Sequence, residues 1–303
     1  MFSTFHSIPA VVLAIALSGL AVCLDASAGD DRPIQALVSV PPQQYFVERI
    51  GGEHVAVTVL VRQGQSHGVF DVTPRLMQAI ERAEVHFRTG VAAENAFLRR
   101  MAQALPNLRS VDTCQGLDLI GGEEVRLDDT HEDRDHSHAG EAFDPHVWMD
   151  PLRARGQAEI IAKTLAELRP AHAETFRRNL DALVADLDAL DEELRELLAP
   201  LRGRTMYVYH PAYSYFADRY GLIQESVELE GKDPGLRHVE ALVARMRRDG
   251  VKALFTQPQF APASARAVAR AAGVEIVELD PLAADYLDNL RRIGRRISAA
   301  LDP

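Results

Sequence analysis

Four residues from four distant stretches have the chemistry of a metal-binding set. They are His67 in "RQGQSHGVFD", His146 in "DPHVWMD", His210 at the end of "TMYVYH" and Asp280 at the end of "VEIVELD". Imidazole nitrogen and carboxylate oxygen are donors that zinc, a borderline cation, accepts, and three nitrogens with one oxygen fill a tetrahedron. The four do not form a compact motif, so the set holds only if the fold gathers them. Each residue also has a plainer role. His67 suits a surface loop, and His146 suits packing beside Trp148. His210 before Pro211 suits a core or capping position, and Asp280 before Pro281 suits a helix N-cap. His54, His86, His172 and His238 share no such setting and are read as structural or surface residues.

A second group lies in residues 121–143. His131, His136 and His138 stand there among eight acidic residues: Glu123, Glu124, Asp128, Asp129, Glu132, Asp133, Asp135 and Glu141. With almost no apolar content this segment cannot pack a core and is read as a mobile acidic loop. Its functional reading is an accessory low-affinity metal collector; the alternative is a solvated linker. The division falls near Phe143, beyond which "DPHVWMD" reads as an ordered corner delivering His146. The sequence has only two cysteines, Cys23 and Cys114, which excludes a cysteine-rich zinc site.

The candidate ligands depend on the elements that carry them. "IQALVSV" (Ile34–Val40) and "VAVTVLV" (Val55–Val61) are β-branched runs of strand length. "TPRLMQAIERA" (Thr73–Ala83) has helical spacing with proline in its first turn. "EVHF" then reads as a strand and "AAENAFLRRMAQAL" as a helix, a βαβα alternation that predicts a mainly parallel sheet flanked by helices. A helix follows the acidic loop from about Pro151 to Leu168, and a longer one spans Ala171–Ala199 between Pro170 and Pro200. Phe176, Leu180, Leu183, Leu187, Leu190, Leu194 and Leu197 form one stripe along it. At ~1.5 Å per residue it reaches roughly 43 Å, as a strut across two lobes or as a coiled-coil arm. Alternation then resumes through the strands "TMYVYH", "LIQESVELE", "VKALFTQ" and "VEIVELD". The expected fold is α/β: two lobes with mainly parallel sheets, joined by one long helix. Open α/β sheets bind ligands beyond the carboxyl ends of their strands, which predicts a metal site in the interlobe cleft.

The organisation follows. Residues 1–28 read as a signal peptide, with the apolar run Ile8–Leu24 and Ala26 and Ala28 at the −3 and −1 positions of a cleavage site. A single membrane anchor is the alternative. Residues 29–170 form the N-terminal lobe, 171–199 the linking helix and 200–303 the C-terminal lobe. Removal of the leader would leave Cys114 as the one thiol, unable to form an internal disulfide. The net charge of −11 argues against nucleic acid as a partner.

At these residues the chain resembles the zinc/manganese ABC-transporter solute-binding proteins, the high-affinity zinc-uptake branch in particular. The resemblance rests on "VSVPPQQYFVERIGG", "DPHVWMDP", "YHPAYSYFADRYGL", "ELEGKDP", "TQPQF" and "ELDPLAADYLDNL". It implies two α/β lobes, a rigid connecting helix and one metal in the cleft. It also implies a periplasmic location and delivery of the metal to an inner-membrane ABC permease; the protein is expected to be a monomer. The family ligand positions match His146, His210 and Asp280. In "GQSHGVFDVTP" His67 falls one residue before the usual histidine, so a small loop rearrangement is required. The nitrogen donor at His210, where manganese-type members tend to offer a carboxylate, favours Zn2+ over Mn2+ or another divalent metal as the transported ligand. Two other classes remain. A zinc hydrolase could use Glu230 or Asp144 as base, but four protein ligands suit binding, and no nucleophile constellation or phosphate-binding loop is visible. The protein is therefore expected not to be an enzyme. A surface adhesin shares this fold among relatives.

Overall fold

The β-branched runs pair into two parallel sheets, one on each side of a long helix. The structure is a computed structural model that describes residues 1, 31–61, 73–101, 105–121, 143–228, 235–259 and 263–302. The leader, His67, His131, His136, His138 and Glu230 lie outside the described residues. The first sheet contains β1 (Ile34–Val38), β2 (Val55–Val59), β3 (Val85–Arg88) and β4 (Arg109–Asp112), in the order β2-β1-β3-β4. The second contains β5 (Thr205–Val208), β6 (Ile223–Ser226), β7 (Ala253–Thr256) and β8 (Glu275–Glu278), in the order β6-β5-β7-β8. The two orders are the same pattern, with a switch of direction beside the first strand of each lobe. All pairings among these strands are parallel.

The connections are helical: α1 (Pro41–Gly51), α2 (Pro74–Arg82), α3 (Ala92–Met101) and α4 (Pro151–Leu168) in the first lobe. After the long helix α5 (Ala173–Leu198) come α6 (Ser214–Tyr220), α7 (Leu236–Arg248), α8 (Ala263–Ala272) and α9 (Tyr286–Leu301). Local chemistry sets several starts. Thr73 caps α2 by accepting from the Leu76 N–H, with Pro74 at the first position. Asp150 caps α4 through its bond from the Leu152 N–H at 2.8 Å, again ahead of a proline.

Helix α5 is a strut rather than an arm. It packs on α1 and α4 on one side and on α6 and α9 on the other. Phe176, Leu183, Leu187, Leu190, Leu194 and Leu198 are fully buried, whereas Leu180 and Leu197 are only partly so. The seam therefore drifts with the 3.6-residue turn, and Leu198 takes the place that a strict 4,3 alternation gives to Leu197.

The strands are shorter than their apolar runs. β5 stops at Val208 and β8 at Glu278, so His210 and Asp280 each sit two residues past a strand end. Helix α6 begins at Ser214, three residues beyond Pro211, because the His210–Tyr213 segment makes the turn out of the sheet. α1 and β4 are additions to the elements read from sequence.

Candidate metal centre

Strand register builds the first half of the site. β5 and β6 are parallel neighbours with Val208 opposite Ser226. The ladder continues past the strands: the Val227 N–H donates to Val208 O at 2.8 Å and the Glu228 N–H to Tyr209 O at 2.9 Å. His210 and Glu228 thus leave adjacent strands side by side, and His210 Nδ1 meets Glu228 Oε2 at 2.7 Å. Gln257, just after β7, steadies the same turn by donating Nε2 to His210 O at 2.8 Å.

The second half comes from "DPHVWMD". Asp144 Oδ1 accepts from both the His146 backbone N–H at 2.9 Å and His146 Nδ1 at 2.7 Å. The corner is then fixed to the other lobe. Tyr215 OH donates to Asp144 O at 2.8 Å, Trp148 Nε1 donates to Pro281 O at 2.8 Å, and Tyr286 OH donates to Trp148 O at 2.6 Å. His146 is only 3% exposed, and its ring lies 5.5 Å from that of His210, centroid to centroid, at 74°.

Both imidazoles therefore have one arrangement. A carboxylate only accepts, so Nδ1 must carry the proton, and the Nε2 lone pair is the one suited to a metal. Electrostatics agree. Burial pulls the His210 imidazole below its ordinary range; Glu228 opposes the shift and His146 adds to it. Burial alone would raise the Asp144 carboxyl, but charge attraction and hydrogen bonds from His146 outweigh it, and the group titrates below the usual range. Each imidazole thus has a carboxylate behind its Nδ1.

Asp280 stands on the neighbouring corner, linked to His146 through the Trp148–Pro281 bond. Its Oδ1 accepts from Gln259 Nε2 at 2.7 Å and from the Leu282 N–H at 2.9 Å. That is a local turn and not a helix cap, since α9 begins only at Tyr286. Among the described residues, no three His, Cys, Asp or Glu side chains gather closely enough to hold an ion. The structure thus brings the rings of His146 and His210 together but does not gather Asp280 with them into a three-residue cluster, while His67 lies outside the described residues. Sequence reasoning missed Glu228 altogether and considered Asp144 only as a possible base. Glu228 lies two residues past the end of β6, inside a run that reads as one continuous strand in the sequence.

Two parallel α/β lobes around one long helix, with one imidazole past a strand end paired with another from the corner before α4, define the class of two-lobed metal-binding receptors. The chain belongs to the family described as zinc-uptake complex component A, periplasmic (ZnuA), whose sequence model matches residues 37–300. This is a family of periplasmic metal-binding receptors of ABC uptake systems, and its members are transport receptors rather than enzymes. A crystal structure of ZnuA superposes with a TM-score of 0.80 at 33% identity, covering 89% of this chain and 100% of that one. The high-affinity zinc uptake system protein ZnuA of Brucella abortus (strain 2308) is 34% identical over 151 residues, 48% of this chain and 44% of that protein. The zinc-binding lipoprotein AdcA of Streptococcus pneumoniae serotype 4 is 26% identical over 258 residues, 83% of this chain and 50% of its own length. The laminin-binding protein Lmb of Streptococcus agalactiae, at 23% identity and TM-score 0.74, shares the fold.

Proposed function

We propose that this protein captures Zn2+ with His67, His146, His210 and Asp280 and passes it to an ABC permease in the inner membrane. The observation that carries the reading is the pair of adjacent imidazoles, each held through Nδ1 by its own carboxylate. A nitrogen-rich set favours zinc over manganese, whose preferred sites are rich in oxygen. The zinc-named relatives, and a ZnuA deletion mutant with zinc bound at TM-score 0.80 and 32% identity, support the same metal. A leader at residues 1–28 fits secretion to the periplasm, where such a receptor meets its metal. The interlobe bonds of Trp148, Tyr215 and Tyr286 suit a site organised before the metal arrives.

The test is competitive titration of the metal-free protein with zinc and manganese. Zinc should bind more tightly, and His146→Ala, His210→Ala, Asp280→Ala and His67→Ala should each weaken it. Wild-type zinc affinity in the His146→Ala/His210→Ala double variant would sink the reading. Unchanged affinity in His67→Ala alone would move the first-lobe ligand elsewhere. Delivery is tested by deleting the gene: growth should fail under zinc limitation and recover with added zinc.

A further inference from the structure

Gln259 is a side-chain amide with one end engaged and the other unsatisfied. Nε2 donates to Asp280 Oδ1 at 2.7 Å, while Oε1 is buried without a hydrogen-bond partner among the described residues. The orientation follows from chemistry, because a carboxylate oxygen only accepts and the amide nitrogen must face it. A buried amide oxygen left unsatisfied is costly, so the position calls for an account of what its other end does. That end shares its target. The Leu282 N–H donates to the same Oδ1 at 2.9 Å. Two donors on Oδ1 leave Oδ2 as the oxygen a cation can approach.

We infer that Gln259 is a positioning residue that makes Asp280 a one-oxygen ligand and so biases the site toward zinc. The inference rests on the reading of Asp280 as a metal ligand. Zinc is satisfied by four donors, so a single carboxylate oxygen is enough for it. Manganese, which prefers six oxygen-rich positions, would draw on both oxygens of the same carboxylate. Holding Oδ1 away therefore costs manganese a donor that zinc does not need.

The test uses the full-length metal-free protein and its variants Gln259→Met and Asp280→Ala, titrated with zinc alone and with manganese alone. Methionine keeps the length of the side chain and removes the donor; Gln259→Glu, also without a donor, is a second variant. Gln259→Met should weaken zinc by about 10–100-fold, the range for losing a group that orients a ligand. Manganese affinity should hold or rise, so the ratio of the two falls. X-ray absorption of the zinc-loaded variant should show an added oxygen neighbour, and the metal-free melting temperature should match wild type. Wild-type zinc affinity in both Gln259 variants, with zinc binding weakened in Asp280→Ala, overturns the inference and leaves the metal reading intact. Wild-type affinity in Asp280→Ala as well removes Asp280 from the site, and this inference with it. Equal losses for both metals together with a lowered metal-free melting temperature mark a structural role and also overturn it.

Discussion

Glu228 and Asp144 each hold one imidazole by its Nδ1. Each occupies Nδ1, fixes the tautomer and adds basicity to Nε2. Glu228→Ala should therefore weaken zinc by about 10–100-fold. Glu228→Gln should lose less, because its amide oxygen can still accept from Nδ1. Calorimetric titration checks both, and equal affinities for wild type and the alanine variant would refute the role. A third buried histidine acts on stability instead. His86 is fully buried, with Nε2 3.0 Å from Ser39 Oγ and Nδ1 without a hydrogen-bond partner among the described residues. Burial, helped by Arg88, pushes its pKa down from 6.5 to about 3. The sign follows from proton counting. Between those values the unfolded chain binds a proton that the folded chain refuses, so stability falls as the pH drops through that window. The slope is about 1.4 kcal/mol per pH unit for one proton. Above 6.5 the group contributes nothing to the pH dependence. His86→Leu should flatten the acid limb of urea-unfolding free energies by about one proton. An unchanged acid slope would show that another group sets it.

Element-scale packing is clearest where α5 meets α9. Gly294 on α9 lies against Leu194 of α5, and a Cβ built there would overlap the Leu194 side chain and crowd Leu197. Leu194 is fully buried, so it has little room to yield. Gly294→Val should destabilise by about 1–3 kcal/mol through overpacking, even though glycine is a poor helix former. Denaturant midpoints measure this, and a midpoint at or above wild type would contradict it. The same helix shows what the sequence could reveal. The α5 stripe, the α4 boundaries and the alternation of the second lobe are long periodic signals, and the structure carries them. β4 has none: Arg109 and Ser110 are exposed, and "RSVD" becomes a strand only because β3 offers a parallel edge. α1 was hidden by its two leading prolines, which suit a helix start as well as a loop. In the site, His146 and His210 were legible as candidate ligands, and the structure brings their rings within 5.5 Å. Glu228 was not, because its place beside His210 depends on the β5–β6 register, a tertiary fact. Asp144 was visible but ambiguous until the geometry of its bond to Nδ1 gave it a partner.

At the scale of the molecule, the two lobes are tied together at the point where the acidic segment leaves and returns. Tyr215 of the second lobe donates to Asp144 O and accepts from the Ile120 N–H at 3.2 Å. Gly121 and Phe143 form an antiparallel bridge, and the Asp144 N–H donates to Ile120 O at 2.9 Å. Arg153 bonds Asp118 O at 2.8 Å and reaches Asp218 of α6 at 3.1 Å, with its guanidinium over the Tyr215 ring. The chain thus enters and leaves residues 122–142 at adjacent points that are already fixed. Replacing 122–142 with Asn-Gly should close the bridge by a two-residue turn and leave Asp144 and His146 in place. The entropy change is small and favourable, since each halving of a loop saves only about 0.6 kcal/mol. One tight zinc site should remain, with a wild-type dissociation constant, while any weak additional zinc equivalents disappear. Loss of the tight site would instead place one of its ligands inside the segment. Rates give a second check that affinity does not. The segment carries eight carboxylates in its sequence, and their field should speed the capture of a dication. The variant should therefore bind zinc more slowly at low ionic strength. The difference should shrink as salt shortens the screening length from about 30 Å at 0.01 M to about 8 Å at 0.15 M. A rate gap that survives high salt would point to direct hand-over by His131, His136 and His138 rather than to charge alone.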